Sequence, residues 1–289
     1  MIDKETKKAI SHFQRNEITE YRIYKKLASI EKSAKNKQTL SKIADDELRH
    51  YNIFKKYTGK EIAPSSYLIK KYTFLAKIAG TTFAIKLMES GEGHAQENYK
   101  KVIHKLPELK SIFADEENHE RKLIALIDEE RLNYIGSMVL SLNDALVELT
   151  GTIAGLTFAL MKTKLVGIAA LITGIAASLS MAISAYLSKK NEPGAKNPLK
   201  SSVYTGLAYI LTVSVLVAPY FIFKNYLLAL GITLVDAVLV ILLFTYFVSV
   251  TKETNFKKDF FEMASLSLGV ALISFLIGLA LRYFIGVDV

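Results

Sequence analysis

Five long apolar runs fill the second half of the chain. They cover residues 139–161, 165–187, 202–223, 226–250 and 262–286, to within a few positions. Each is close to the ~20 residues that an α-helix needs to cross the hydrocarbon layer of a membrane. Buried helices of soluble proteins rarely run so long without a charge. The runs therefore predict five transmembrane helices.

The charged residues are concentrated before residue 135. Of the 37 Lys and Arg residues, 26 precede this position, as do 20 of the 28 Asp and Glu residues. The first part is therefore expected to be soluble in water and the second to lie in lipid. We predict two domains, at residues 1–134 and 135–289.

The loops between the apolar runs distribute their basic residues unevenly. Two loops that share one side of the membrane carry seven lysines: Lys189, Lys190, Lys196, Lys200, Lys252, Lys257 and Lys258. Because basic loops favour the cytoplasmic side, this pattern predicts an integral membrane protein with a cytoplasmic N-terminal domain and an outside C-terminus. The first residues contain no apolar core typical of a signal peptide, which agrees with that orientation.

A few polar side chains lie within the predicted spans. Asp144 and Glu148 are one turn apart in the first span, and Asp236 lies inside the fourth. A carboxylate at membrane depth indicates a partner, a cation or a water-filled path, although the first two would be wetted if they lay near the cytoplasmic end. Met181 in the second span offers a soft thioether ligand, but a lone Met is more often apolar filler. We predict these four residues as candidates for a transport path.

The first half contains four segments with apolar residues at helical spacing, which predicts a four-helix bundle. Each ladder of inward positions is interrupted at its middle by two consecutive Glu or His residues. The ladders are Ile10, Phe13, Glu17, Glu20, Tyr24, Leu27; Leu40, Ile43, Glu47, His50, Phe54, Tyr57; Ile85, Glu89, Glu92, Gln96, Tyr99, Ile103; and Leu109, Ile112, Glu116, His119, Leu123, Leu126. The apolar stretch YTFLAKIAGTTFAIKLM could be mistaken for another membrane span. Because Lys77 and Lys86 interrupt it, it is expected to be a helix of the bundle instead.

The interrupting residues have the pattern of a two-metal site. Two helices carry Glu-x-x-His and the other two carry a pair of Glu residues, which is the arrangement of di-iron and di-manganese carboxylate bundles. Burying these carboxylates without positive charge would cost several kcal/mol each. An isolated Glu-x-x-His is more often an exposed ion pair, but two on matching apolar ladders favour a metal site. The eight predicted ligands are Glu17, Glu20, Glu47, His50, Glu89, Glu92, Glu116 and His119.

The position of each Glu along its helix separates inner from outer ligands. If the hairpins turn near residues 33 and 105, Glu17 and Glu92 fall level with the two Glu-x-x-His motifs. Glu20 and Glu89 then lie one turn away, as supplementary ligands or as groups that orient the ligands.

Composition excludes several other classes of site. The chain has no cysteine, which excludes disulfides, thiolate zinc sites and four-cysteine iron centres. The net charge of +9 does not indicate nucleic-acid binding, because the lysines alternate with glutamates at helical spacing. A solvated helix face, together with attraction to anionic lipid headgroups, explains the charge more simply.

Residues 10–130 resemble the rubrerythrin branch of the ferritin-like superfamily. The resemblance lies in EITEYRIYKKLAS, DDELRH, EGHAQENY and DEENHE. Residues 135–289 resemble the vacuolar iron transporter family in NDALVELTGTIAGL, SMAISAYLS and the count of five spans. Together these features resemble membrane proteins in which a ferritin-like domain is fused to such a transporter, with an all-α fold throughout.

The second resemblance implies a transport mechanism. Asp144 and Met181 would contact the metal, and the protein would form a homodimer that exchanges Fe²⁺, or Mn²⁺, against protons. This chain departs from the usual family pattern at three positions. Ala145 replaces a Gly after the Asn-Asp pair, and Ser184 and Ala185 replace Gly-Glu in the second span. Because the second change removes a carboxylate, the ligand set of the path is left open.

Three functions are compatible with the sequence. The first is an exporter whose cytoplasmic bundle binds, senses or oxidises iron while the spans move Fe²⁺ out of the cytoplasm. The second is a membrane-anchored di-iron ferroxidase or peroxidase with two bound iron ions, although an anchor needs one span rather than five. The third is a dimerisation module with a structural metal. The lack of cysteine weighs against a peroxidase, because the chain has no built-in thiol or iron–sulfur electron donor.

Overall fold

The computed structural model describes residues 3–90, 106, 109–112, 115, 116, 119, 134–192 and 197–285. All regular secondary structure among these residues is helical, which confirms the predicted all-α class. The chain divides into two compact units, Met1–Glu129 and Glu130–Val289. The sequence places this division at residues 134 and 135.

Four helices are described at the start of the first unit: α1 (Lys4–Ile30), α2 (Ala34–Thr58), α3 (Ser66–Ala79) and α4 (Thr81–Ser90). Asp3 caps α1, because its side chain accepts a hydrogen bond from the backbone N–H of Thr6 at 2.8 Å. Gly59 ends α2 in the left-handed conformation, with φ of 66°. Within the region predicted as the fourth bundle helix, residues 110–112, 115, 116 and 119 are also helical.

Helices α1 and α2 bury two separate apolar clusters. One joins the end of α1 to the start of α2, through residues such as Leu27 and Leu40. The other joins the start of α1 to the end of α2, through Phe13 and Phe54. The two helices therefore run antiparallel, and their buried polar residues lie in the layer between the clusters.

The structure corrects the prediction of one helix through YTFLAKIAGTTFAIKLM. The helix breaks at Gly80, which has φ of 102° and ψ of 157° and separates α3 from α4. Residues with a Cβ atom rarely adopt this conformation, whereas glycine adopts it readily. The apolar periodicity continues across Gly80, so it could not reveal the break between the two helices.

Five helices long and apolar enough to cross a membrane follow in the second unit. They are α5 (Ile135–Leu160), α6 (Thr163–Asn191), α7 (Pro198–Ile222), α8 (Tyr226–Lys252) and α9 (Phe256–Ile285). They coincide with the five predicted spans, with ends that differ by a few residues. The chain is therefore an integral membrane protein.

Small residues allow close packing of α5 against α9. A Cβ atom at Gly278 would overlap the backbone of Gly155, and one at Gly151 would lie 2.8 Å from Val270 Cγ1. Glycines at the contact let the two backbones approach, as is typical of membrane helices that lack a hydrophobic driving force for association. Hydroxyl contacts add to this packing, since Thr150 Oγ1 lies 2.9 Å from Ser267 Oγ.

Candidate metal centre

Four predicted ligands meet in the polar layer between the two apolar clusters. One ligand atom from each of Glu17, Glu47, His50 and Glu116 lies within 4.8 Å of the others. Helix α1 supplies the first, α2 the next two, and the helical residues near 116 the last. His50 Nδ1 is 2.9 Å from Glu116 Oε1, 3.4 Å from Glu47 Oε2 and 3.5 Å from Glu17 Oε2. Three carboxylates therefore face one ring nitrogen.

Glu47 lies between the two imidazoles. Its Oε2 faces His50, and its Oε1 is 3.3 Å from His119 Nδ1. Both Nδ1 atoms are buried, and neither makes a hydrogen bond of acceptable angle to a described residue despite these short distances. A ring nitrogen carries a single proton or a single lone pair, so it cannot satisfy several carboxylates. Two cations, one beside each imidazole with Glu47 between them, would satisfy every one of these atoms.

Each imidazole also has an aspartate at its other ring nitrogen. His119 Nε2 is 3.0 Å from Asp46 Oδ2, and His50 Nε2 is 3.3 Å from Asp115 Oδ2. Arg49 Nη2 lies 2.9 Å from an oxygen of each aspartate and so links the two pairs. An acceptor at Nε2 holds the proton there and leaves the Nδ1 lone pair free, which is how proteins orient metal-binding histidines.

The buried carboxylates and imidazoles shift one another's pKa values. Burial raises the pKa of Glu17 to about 7, with the His50 contact opposing this change and the charge of Glu47 adding to it. Burial also raises the pKa of Glu116. Burial alone would lower the pKa of His50, but the contacts with the surrounding glutamates raise it to about 12. In the absence of a metal, these shifts favour the protonated forms of Glu17, Glu116 and His50.

Two further predicted ligands, Glu20 and Glu89, lie beside a buried tyrosine. Tyr24 is 1% exposed, and its hydroxyl donates a 2.7 Å hydrogen bond to Glu89 Oε1. Burial and then the charges of Glu89, Glu47 and Glu20 raise the pKa of this phenol well above its usual value, so Tyr24 stays a hydrogen-bond donor. Glu92 lies outside the described residues.

The membrane unit carries its candidate carboxylates on one face of α5. Asp144 and Glu148 are both exposed on the single chain, and Glu148 lies at the middle of the 26-residue helix. Tyr209 of α7 is fully buried and donates a 3.0 Å hydrogen bond to Glu148 Oε2. The position of Glu148 therefore does not fit a carboxylate wetted at the end of a span.

The other two candidates have different surroundings. Met181 is partly buried against the apolar core of the membrane unit. Asp236 is half-buried on α8, and no hydrogen bond or ion pair links it to Asp144 or Glu148 within the described part of the unit.

Sequence reasoning missed the residues that contact the ligands. Asp46 and Asp115 directly precede Glu47 and Glu116, so the repeated motif is Asp-Glu-x-x-His rather than Glu-x-x-His. That repetition could have identified both aspartates from the sequence. Tyr209 had no comparable signal, because its partner is 61 residues away in the sequence.

Comparison with known proteins gives one match. Residues 135–194 match the VIT family, the vacuolar iron transporters, and this segment contains Asp144, Glu148 and Met181. No curated protein and no solved structure matches the chain. The resemblance of residues 10–130 to rubrerythrins stays a prediction. The membrane unit is therefore similar, over residues 135–194, to a family of metal-ion transporters.

Proposed function

We propose that the protein exports Fe²⁺, or alternatively Mn²⁺, from the cytoplasm in exchange for protons. The observation that carries this proposal is the VIT family match over residues 135–194, which includes the two exposed carboxylates of α5. Carboxylate oxygens are hard ligands that suit divalent ions of this kind. Lysine-rich loops between α6 and α7 and between α8 and α9 support a cytoplasmic N-terminal unit, from which export would begin.

The transport path includes Asp144, Glu148 and Met181. A carboxylate in the middle of a membrane span is unfavourable in lipid unless a cation, a proton or a polar partner accompanies it. Exchange of a metal ion for protons meets this condition in both states, because the carboxylates are neutralised by one or the other. Asp236 on α8 is the fourth candidate, for a site further along the path.

The membrane unit functions as a homodimer. Asp144 and Glu148 are exposed on the single chain, as are Ser180, Ser184 and Ser188 at four-residue spacing on α6. Lipid is an unfavourable neighbour for carboxylates and hydroxyls. A second copy facing these surfaces would cover them and supply further ligands to an ion between the two chains.

The first unit is a ferritin-like domain that holds two iron ions, or manganese. The residues fit this assignment, since four carboxylate and imidazole atoms converge within 4.8 Å and both Nδ1 atoms lack a well-angled hydrogen bond. His50, Glu17 and Glu116 would hold one ion and His119 the other, with Glu47 between them. Glu20, Glu89 and Glu92 are the remaining candidates. Bound iron would supply redox or sensing chemistry, while the aspartates hold the imidazole protons at Nε2.

Proteoliposomes containing the full chain test the transport proposal. We expect Fe²⁺ flux driven by an imposed pH gradient, and loss of that flux in Asp144→Ala. Glu262→Gln is the matched control, because it neutralises an exposed carboxylate on α9 and should leave flux unchanged. Equal flux in Asp144→Ala and the unaltered chain would contradict the proposal.

The same preparation tests the alternative of a di-iron ferroxidase or peroxidase. If the spans serve only as an anchor, flux will be absent, and Fe²⁺ will instead be oxidised with consumption of oxygen or peroxide. That activity should disappear in Glu47→Ala and persist in Asp144→Ala. The transport proposal predicts the reverse dependence of flux on these two positions.

A further inference from the structure

The exposed face of α3 differs from the rest of the first unit. Among the described residues of this unit, four large apolar side chains are exposed, and three of them are Tyr67, Phe74 and Ile78 on α3. Their exposed fractions are 72%, 62% and 63%. Isolated exposed apolar residues are ordinary on protein surfaces, but a cluster on one helix marks a surface with a partner.

These three side chains form a narrow stripe. At 3.6 residues per turn, Tyr67, Phe74 and Ile78 fall within about 40° of one another around the helix axis. The buried residues Ile69, Tyr72 and Ala76 lie on the opposite face, where they join the apolar cluster of α1 and α2. Packing inside the first unit therefore does not cover the stripe.

Lysines border the stripe on both sides. The same helical geometry places Lys71 beside one edge and both Lys70 and Lys77 beside the other. Helix α3 contains no Asp or Glu. An apolar and aromatic stripe with flanking lysines is the pattern of a helix that lies in the plane of a membrane surface, where the lysine ammonium groups reach anionic headgroups.

We propose that α3 docks on the surface of an anionic lipid bilayer, with Tyr67, Phe74 and Ile78 inserted among the headgroups. A bilayer is always close, because the same chain contains five membrane-spanning helices and the covalent link raises the effective concentration of the surface. Lipid fits the charge of this face better than a second copy does. A two-fold contact would set lysines against lysines with no acidic residue of α3 to compensate.

A single tryptophan tests the proposal directly, since the chain contains none. The full-length Phe74→Trp variant is placed in nanodiscs of phosphatidylcholine and phosphatidylserine, some with brominated acyl chains. We expect blue-shifted emission that brominated lipid quenches strongly and aqueous acrylamide quenches weakly. Asn52→Trp, at an exposed position of α2, is the control and should show water-exposed emission without lipid quenching.

The contribution of the lysines to docking is tested in the Phe74→Trp variant. Each lysine near an anionic surface contributes roughly fivefold to binding, so Lys70→Gln with Lys77→Gln should lower the docked-to-undocked ratio about 25-fold. Lys37→Gln with Lys42→Gln, two exposed positions of α2, should leave the ratio unchanged.

Three results would overturn the proposal. The first is water-exposed emission from Phe74→Trp in the anionic discs. The second is protection from acrylamide without quenching by brominated lipid, which would mean that a protein surface such as a second copy covers the stripe. The third is equal lipid quenching with and without phosphatidylserine, which would remove the role of the anionic headgroups.

Discussion

Both units place carboxylates on helix faces that are otherwise apolar, yet the two sets have different surroundings. In the first unit, Glu17, Glu47 and Glu116 come from different parts of the chain and converge on buried imidazoles. In the membrane unit, Asp144 and Glu148 lie on a single helix and are exposed. The carboxylates of the first unit have most of their polar neighbours within one chain. Those of the membrane unit require a second protein surface, an ion or water as a neighbour.

This difference suits two tasks. A site with many converging ligands and oriented imidazoles binds a metal tightly. A site with two carboxylates and one described hydrogen bond, from Tyr209, binds more weakly and so can release an ion, as transport requires. The comparison predicts that changes in the first unit alter metal affinity and that changes in the second alter flux.

The largest expected effect is at Glu47, which faces both histidines. Glu47→Ala should weaken Mn²⁺ binding to the full chain by more than about 100-fold, because it removes a ligand from both ions. Electron paramagnetic resonance of free Mn²⁺ measures this change. Glu61→Gln is the control, since this carboxylate is exposed and pairs with Lys55. Unchanged Mn²⁺ affinity in Glu47→Ala would contradict the metal assignment.

Substitution of the aspartates should have a smaller effect. Asp46→Asn and Asp115→Asn should each weaken Mn²⁺ binding about 10- to 100-fold, because a neutral amide, which can also present its NH₂ group, orients the neighbouring imidazole less well than a charged carboxylate. Asp45→Asn is a matched control on the same helix, since Asp45 is exposed and pairs with Lys25. Equal affinities for the Asp45 and Asp46 variants would show that the aspartates do not act through the histidines.

Affinity for the metal should also rise with pH. The pKa of Glu17 is raised from 4.5 to about 7 by burial, so a metal must displace its proton below pH 7. We expect Mn²⁺ affinity to increase about tenfold per pH unit for each proton displaced between pH 5.5 and 7. Titrations at three pH values measure the slope.

The raised pKa of Glu17 also predicts how the stability of the metal-free protein depends on pH. A pKa that is raised on folding contributes stability that is complete below pH 4.5 and is lost as the pH rises through about 7. Bound metal should cancel this loss. A metal affinity independent of pH would mean that Glu17 is not a ligand.

The smallest expected effect concerns the membrane unit. Tyr209→Phe removes the hydrogen bond to Glu148 and should lower Fe²⁺ flux about fivefold, since one such bond contributes about 1 kcal/mol. Tyr283→Phe, at a position that is 84% exposed, is the control. Loss of metal from the first unit in Tyr209→Phe would contradict the separation of the two sites.

The spacing of apolar and polar residues along the chain predicted much of the fold and part of the candidate site. The apolar runs predicted five spans because a helix needs a defined length to cross lipid, and the ladder of α1 predicted that Glu17 faces inward with Phe13. Gly80 could not be recognised as a break, because the apolar pattern continues on both sides. Tyr209 could not be linked to Glu148, because that contact depends on how α5 packs against α7.

The sequence by itself determined which residues share a helix face, since a helix places positions three and four apart on one side whatever surrounds it. Tertiary structure decided which faces meet and at what distance. It set the Asp-Glu-x-x-His motifs so that each aspartate lies beside the histidine of the other motif, 65 and 73 residues away. It also left Asp144, Glu148 and the stripe of α3 uncovered. Such distances depend on how whole helices pack together. The spacing of residues along the chain does not determine that packing.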